Sequence, residues 1–226
     1  MASRDAKAPQ AAIWLQGYDI LADIGVRSNV YKVRPKPHDD VPPFMDDEEV
    51  CYALKLLDVG EGHELDPEQK KRALRQAQGL LVLHHTNIVH YHRAFFYEGR
   101  LCTMTEFAEE GTLHNFIYTI KVRGEKMDDE VTWHIFAQIC HGLNMLHKSK
   151  LAHGALKTRN LLLFPESLYD HATLRYRCKL TDIAIPELQL HQRLSTLSGS
   201  TLRYLAPEVL TRRPSDEKVP YEEGAT

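Results

Sequence analysis

Histidine and cysteine are the residues of this chain whose chemistry can be judged before any fold is considered, because both bind transition metals and cysteine also forms disulfides. The sequence contains thirteen histidines, which come closest together in His84-His85 and in His90-x-His92. No cysteine or carboxylate stands nearby at the spacing of a metal ligand set. We therefore expect scattered histidines on or near the surface, and a metal site remains the less favoured alternative.

The four cysteines favour a reducing compartment. Cys51, Cys102, Cys140 and Cys178 lie far apart and form no C-x-x-C pair, and three of them fall inside apolar runs. Spacing of this kind is typical of reduced, buried thiols. The pattern predicts a cytoplasmic protein without disulfides.

Composition places the chain among ordinary globular proteins. Its 226 residues are 43% hydrophobic and 26% charged, and the net charge is −3. This charge gives no strong attraction to nucleic acid or to anionic membranes. No stretch approaches the roughly 20 apolar residues of a membrane-spanning helix, so neither nucleic acid nor a membrane is an expected partner.

Short apolar runs predict the strands that must position any site in the first half of the chain. Residues 18–24 and 30–33 surround a turn and suggest a hairpin. Four prolines and six acidic residues make 34–49 a predicted loop. Further strands are expected at 50–59, 87–96 and 101–107.

Apolar residues at helical spacing predict two main helices. One spans 67–83, with Asp66 as N-cap and Pro67 at its first position. The other spans 128–148, where Val131, Ile135, Ile139, Leu143 and Leu146 form a stripe. We also expect a short helix from Leu113, strands at 161–163 and 178–180, and a loop without further elements from Ile185 onward. This order predicts an α+β chain of two lobes.

Four segments stand in an order that resembles the protein kinase family. CYALK at 51–55 resembles V-A-I-K, HGALKTRN at 153–160 resembles H-R-D-L-K-x-x-N, DIA at 182–184 resembles D-F-G, and 206–208 read A-P-E. The details are similar to NIMA-related serine/threonine kinases. Residues 1–12 contain no apolar signal core and are predicted to be a disordered lead-in. The resemblance implies a kinase-like domain at 13–226. Its N-lobe, about 13–108, would hold an antiparallel sheet and one helix, and its mainly helical C-lobe, about 109–226, would be incomplete.

The resemblance also implies an ATP and magnesium site. Lys55 would hold the phosphates, Asn160 and Asp182 would hold Mg²⁺, and Lys157 is the retained lysine of the catalytic loop. Thr105 stands at the position between the adenine pocket and its rear, the gatekeeper. The remaining adenine-side positions would be Gly25, Val30, Ala53, Glu106, Ala108 and Leu162. A buried column through both lobes is expected to contain Leu80, Tyr91, His153 and Ile183.

Several positions depart from the family's pattern. Ala155 stands where the family has its catalytic base, and Gly154 replaces the arginine before it. Ala184 replaces the last glycine of D-F-G, and Gln76 replaces the helix glutamate that pairs with the lysine. Only Gly25 remains of the glycine-rich loop, so phosphates would be cradled less closely.

These losses favour a pseudokinase that acts as a scaffold or allosteric regulator of a protein partner, with ATP and magnesium bound weakly or not at all. The first alternative is a weakly active serine/threonine kinase, and the second is a fragment of a longer kinase-like protein. The chain stops 18 residues after Glu208, before the helix that covers the lower lobe in the family. An apolar underside formed by Ile135, Ile139 and Leu143 is therefore expected to be exposed.

Overall fold

The computed structural model describes residues 18–24, 29–36, 50–57, 65–165 and 176–189, together with 203, 204 and 207. Short 3₁₀ turns occupy Leu80–Val82 and Thr158–Asn160. The strands are β1 (Tyr18–Asp23), β2 (Val30–Pro35), β3 (Tyr52–Leu57), β4 (Tyr91–Tyr97), β5 (Arg100–Glu106), β6 (Leu161–Pro165) and β7 (Tyr176–Leu180). The helices are α1 (Pro67–Gly79), α2 (Leu113–Val122), α3 (Asp129–Lys148) and α4 (Pro186–Gln189). The predicted α+β class is confirmed.

The first lobe is a five-stranded antiparallel sheet in the order β1-β2-β3-β5-β4, with α1 beside it. The predicted hairpin of β1 and β2 is present, and β2 extends to Pro35. Along β3, Leu54 and Leu56 are buried, whereas Ala53 and Lys55 lie half-buried on the opposite face. The alternation of a strand therefore directs Lys55 away from the sheet core and toward the cleft between the lobes.

Helix α1 begins as its sequence predicts. Asp66 accepts a hydrogen bond from the Gln69 N–H, the Gln69 side chain accepts one from the Asp66 N–H, and Pro67 occupies the first position. The α-helix ends at Gly79, four residues before the predicted end, because Leu80–Val82 tighten into a 3₁₀ turn.

Helix α3 packs against β7 and begins one residue after its predicted start, because Asp128 is its N-cap and accepts a hydrogen bond from the Glu130 N–H. Ile135 is buried, and Ile139 and Leu143 are half-buried against the core. The expectation that these three residues are exposed is therefore wrong, since α3 turns this face toward β7. The large apolar side chains that α3 does expose are Trp133 and Phe136.

Two backbone hydrogen bonds join the segment before β4 to the second lobe. The Val89 N–H donates to the Leu180 carbonyl, and the Leu180 N–H donates to the Asn87 carbonyl, each at 2.9 Å. The apolar pattern predicts a strand from Asn87. The strand β4 begins only at Tyr91, because the residues before it pair with the second lobe. One core cluster runs through both lobes as a result.

The loop predicted from Ile185 onward is wrong at Pro186–Gln189, where α4 forms one helical turn, and most of the remaining stretch lies outside the described residues. Ile185 and Leu188, three positions apart, are both buried against Ala73 and Ala77 of α1. A short helix that gains its stability by packing on another element carries too weak a local pattern to be recognised alone.

The four cysteines are free thiols, and Cys102 and Cys178 are buried as expected. Burial raises the pKa of both thiols to about 12, so they stay protonated and unreactive. Cys140 is exposed, which corrects the expectation for that position. Within the described segments, no helix is both long and apolar enough to cross a membrane. The expectations for 1–12, Gly25 and the glycine-rich loop, 37–49 and 206–208 fall outside the described residues, apart from Pro207, which is exposed.

Candidate active site

An ion pair in the cleft joins the two lobes at the predicted site. The Lys55 Nζ atom of β3 lies 2.5 Å from Oδ2 of Asp182, which follows β7. Both side chains are about 30% exposed, at 30% and 27%. Asp182 has a φ of 59°, a left-handed conformation that is uncommon for a residue with a side chain. The fold thus holds this carboxylate in a strained backbone position facing the lysine.

The loop before β6 keeps a closed hydrogen-bond network around Ala155. The Asn160 side-chain amide donates to the Ala155 carbonyl at 2.8 Å, and the Ala155 N–H donates to His153 Nδ1 at 3.3 Å. The Asn160 carbonyl accepts from the Thr181 N–H at 3.0 Å. Gly154 has a φ of 69°, which glycine adopts without strain. The backbone of the loop is therefore ordered although its central side chain is a methyl group.

Burial changes the pKa of two side chains beside this network, Lys157 and His153. Burial lowers the pKa of Lys157, and the nearby Asp182 carboxylate offsets part of that effect. Burial also lowers the pKa of His153, and its Nε2 atom is a buried nitrogen without a hydrogen-bond partner in the described part of the chain. His153 is consequently neutral near pH 7, which suits a position inside the core.

The predicted column through the lobes is buried along its whole length. Leu80, Tyr91, His153 and Ile183 are each less than 5% exposed, and the Ile183 N–H donates to the Tyr91 hydroxyl at 3.4 Å. Burial raises the pKa of Tyr91, so the hydroxyl remains protonated. These contacts tie the segment after Asp182 to the sheet of the first lobe.

Several residues predicted to surround adenine lie on strands that the fold pairs or bridges. Thr105 of β5 pairs with Ala53 of β3, and Thr105 and Ala108 are buried. Val30 pairs with Lys55, and Leu162 of β6 forms a bridge with Thr112. The structure brings these strands together, so the set is adjacent in space although it is dispersed in sequence.

The Glu106 carboxylate makes structural contacts that the sequence did not predict. Its carboxylate accepts hydrogen bonds from the His90 N–H and from Lys179 Nζ, both at 2.7 Å. The Lys179 ammonium also lies 4.4 Å from the centre of the Phe164 ring. The Glu106 side chain is therefore engaged within the protein.

A contact between α1 and α4 was missed by sequence reasoning. Arg72 donates through Nε and Nη2 to the two carboxylate oxygens of Glu187, each at 3.0 Å, and Gln76 Oε1 accepts from the Glu187 N–H at 3.0 Å. Gln76 was expected to stand in for a glutamate that pairs with Lys55. The structure instead uses its amide to cap α4, while Lys55 is bonded to Asp182.

A magnesium site at Asn160 and Asp182 has suitable donor chemistry, because carboxylate and amide oxygens are the hard ligands that Mg²⁺ prefers. The Asn160 NH₂ group is directed at the Ala155 carbonyl, which leaves the amide oxygen for a cation. One Asp182 oxygen is already bonded to Lys55. Asn160 and Asp182 can therefore supply part of the ligand set of a magnesium ion.

The protein kinase domain family matches residues 43–221, and the chain belongs to that family. It is similar to the serine/threonine-protein kinase Nek11 of Mus musculus, with 29% identity over 171 residues, which are 75% of this chain and 25% of that protein. It is also similar to Nek10 of Homo sapiens, with 32% identity over 138 residues, 60% of this chain and 11% of that protein. Similarity extends to the serine/threonine-protein kinase STY46 of Arabidopsis thaliana, with 25% identity over 168 residues, 74% of this chain and 27% of that protein. The predicted likeness to NIMA-related kinases is confirmed, and the chain spans about a quarter or less of these relatives.

Proposed function

We propose that this chain is a pseudokinase, a kinase-like scaffold or allosteric regulator of a protein partner in the cytoplasm. The observation that carries the proposal is Ala155. Its methyl group stands in an otherwise ordered loop, held through its carbonyl by Asn160 and through its N–H by His153. A methyl group cannot accept the proton of a substrate hydroxyl, and loss of a positioned base lowers a rate by roughly 10²–10⁴-fold.

The ion pair and the α1–α4 contact support the same proposal. Lys55 is paired with Asp182 within the cleft, so the two charges balance each other inside the protein. Arg72 and Gln76 of α1 are both engaged with Glu187 of α4. These bonds hold the segment after Asp182 against α1.

Protein kinases generally use ATP with magnesium, and the remaining groups would serve a weakened version of that site. Lys55 would contact the phosphates, Asn160 and Asp182 would hold Mg²⁺, and Lys157 would add positive charge near the phosphate end. When bound, magnesium would neutralise phosphate charge. The adenine would meet Val30, Ala53, Ala108 and Leu162, with Thr105 behind it.

We expect no phosphoryl transfer by the wild-type chain. In an assay with radiolabelled ATP, magnesium and generic protein substrates, incorporation should match that of Lys55→Met. The Ala155→Asp variant restores a carboxylate in the ordered loop, and a gain of roughly 10²–10⁴-fold in that variant would identify the base as the missing part. Transfer by the wild type that disappears in Lys55→Met would contradict the proposal.

ATP with magnesium should raise the melting temperature of the wild-type chain by a few degrees. A ligand at ten times its Kd stabilises the folded state by about 1.4 kcal/mol, and 1 kcal/mol shifts Tm by roughly 2–4 °C in a protein of this size. Lys55→Met should reduce the shift, whereas the exposed Lys148→Met on α3 should leave it unchanged. An unchanged Tm at saturating ATP would mean that the site no longer binds nucleotide and that only the scaffold function remains.

A weakly active serine/threonine kinase is the second candidate, and the gathering of Lys55, Lys157, Asn160 and Asp182 around one cleft favours it. Positioning and metal alone can supply part of the rate of phosphoryl transfer. The same assay decides between the two functions, because this candidate requires slow transfer that depends on Lys55.

A further inference from the structure

The charged groups around Lys157 carry more positive than negative charge in the described part of the chain. The side chains that interact there are Lys55, Lys157, Arg159 and Asp182. Three of these groups are cations, and only one is a carboxylate. The kinase pattern would place a further carboxylate at position 155, where this chain has a methyl group. The loss of the catalytic base is therefore also the loss of a negative charge at the phosphate end of the cleft.

Asp182 already has a cationic partner, and the reason lies in α1. Gln76 carries no charge, and its amide oxygen accepts a hydrogen bond from the Glu187 N–H at 3.0 Å. The Lys55 ammonium bonds to Asp182 Oδ2 instead, at 2.5 Å. A magnesium ion on Asp182 would share this carboxylate with the ammonium, and positive charges at such short range repel each other. The carboxylate of the predicted magnesium site is thus partly used by the protein's own cation.

Asn160 offers little more to a metal ion. Its side chain is buried and donates to the Ala155 carbonyl at 2.8 Å, which leaves the amide oxygen as the one possible ligand. Mg²⁺ is usually held by one or two carboxylates together with phosphate oxygens. Among the described residues, no group of three or more histidine, cysteine, aspartate or glutamate side chains could hold a metal ion. A metal ion therefore gains little from this cleft beyond one shared carboxylate and one amide oxygen.

We propose that the cleft binds ATP as the metal-free anion, with Lys55, Lys157 and Arg159 neutralising the phosphate charge that magnesium neutralises in an active kinase. The inference rests on the proposed function, because it assumes that a kinase-like cleft still accepts adenine. Free ATP carries more negative charge than its magnesium complex, so a cleft with excess positive charge attracts the free form more strongly. Lys55 and Asp182 are only 30% and 27% exposed, which limits the screening of these charges by salt.

The ion pair can stay in place when phosphate binds. A lysine ammonium has more than one N–H donor, and the bond to Asp182 uses one of them. The remaining donors of Lys55 can contact phosphate oxygens, so the ammonium bridges the carboxylate and the nucleotide. Hydrogen bonds between charged groups are stronger than those between neutral groups. The bond between Lys55 and Asp182 therefore need not break in this mode of binding.

Isothermal titration of the wild-type chain with ATP, once in excess EDTA and once in excess magnesium, tests the proposal. We expect the Kd in EDTA to be equal to or lower than the Kd in magnesium. Lys157→Met should weaken binding in EDTA roughly tenfold, which is the effect of losing one charge-assisted hydrogen bond. Lys148→Met, at an exposed lysine of α3, is the matched control and should bind ATP as the wild type does.

Two substitutions distinguish metal-free binding from binding through magnesium. Asp182→Asn removes a negative charge, and asparagine tolerates the left-handed backbone at a φ of 59°. This variant should bind ATP in EDTA at least as tightly as the wild type, whereas a magnesium-dependent site would lose affinity. Ala155→Asp restores a carboxylate beside the phosphates and should weaken binding in EDTA more than binding in magnesium. The melting temperature without nucleotide shows whether each variant is folded.

The proposal is overturned if ATP binds only with magnesium, if it binds in neither condition, or if folded Asp182→Asn loses binding. Should Asp182→Asn fail to fold, equal affinity of Ala155→Asp and the wild type in EDTA would overturn it instead. Inorganic tripolyphosphate should compete weakly with ATP because it lacks adenine, and equal competition would reveal a general polyanion site and contradict the proposal. The proposed function fails separately, through transfer of labelled phosphate that depends on Lys55.

Discussion

Replacing Ile183 with aspartate is expected to unfold the chain. Ile183 is 4% exposed and lies in the core cluster that joins the two lobes, beside Leu80 and Tyr91. A charge buried there without a partner costs several kcal/mol, against a total stability of roughly 5–15 kcal/mol for a typical domain. Circular dichroism melting should show loss of the cooperative transition, or a decrease in stability of more than about 4 kcal/mol.

Two variants control for this result. Ile183→Leu keeps the volume and polarity and should cost less than about 1.5 kcal/mol. Val122→Asp introduces the same charge at a residue of α2 that is 67% exposed and should have little effect. If Ile183→Asp melted like the wild type, Ile183 could not be part of a buried column, and the assignment of residues 182–184 would be wrong.

Gly142→Ala is expected to destabilise the chain, although alanine is normally favoured over glycine inside a helix. A Cβ atom at Gly142 would lie 2.7 Å from the Asn87 carbonyl oxygen and 2.7 Å from a methyl carbon of Leu180. One of these contacts is with backbone, so α3 would have to move away from β7. We expect a net loss of about 2–3 kcal/mol in the free energy of unfolding, measured by urea denaturation.

Gly79→Ala is the matched control. Gly79 ends α1 with helical angles, is exposed, and a Cβ atom there would meet nothing within 4 Å. Alanine should therefore leave stability unchanged or raise it by up to about 1 kcal/mol. Equal effects at the two positions would mean that α3 does not approach β7 and Asn87 as closely as the structure shows.

Much of the fold could be predicted because its signals are local. The N-cap of α1 at Asp66, the stripe of α3 and the alternation of β3 each depend on residues a few positions apart. Helix capping and strand alternation act at that range, so they can be read without knowing the neighbours. The start of β4, the end of α1 and the turn of α4 were not predicted, because packing decided the local conformation at each.

The candidate site was predicted in part for the same reason. The order of the motifs around Lys55, Asn160 and Asp182 identified the family, and the absence of a carboxylate at Ala155 is visible in the sequence alone. The partners of these residues were not visible. Gln76 was assigned to Lys55, but it bonds to the Glu187 N–H.

The sequence by itself determined the class of fold, the positions of the main elements and the presence of an alanine at position 155 within the HGALKTRN motif, because each follows from residue type and short-range spacing. Only the tertiary structure decided the pairing of Arg72 with Glu187, 115 positions apart, and of Lys55 with Asp182, 127 positions apart. It also decided the contact of Gly142 with Asn87 and the meeting of His84 with His90. Such contacts depend on how lobes and turns pack in three dimensions. They cannot be predicted from residue spacing or secondary-structure propensity along the chain.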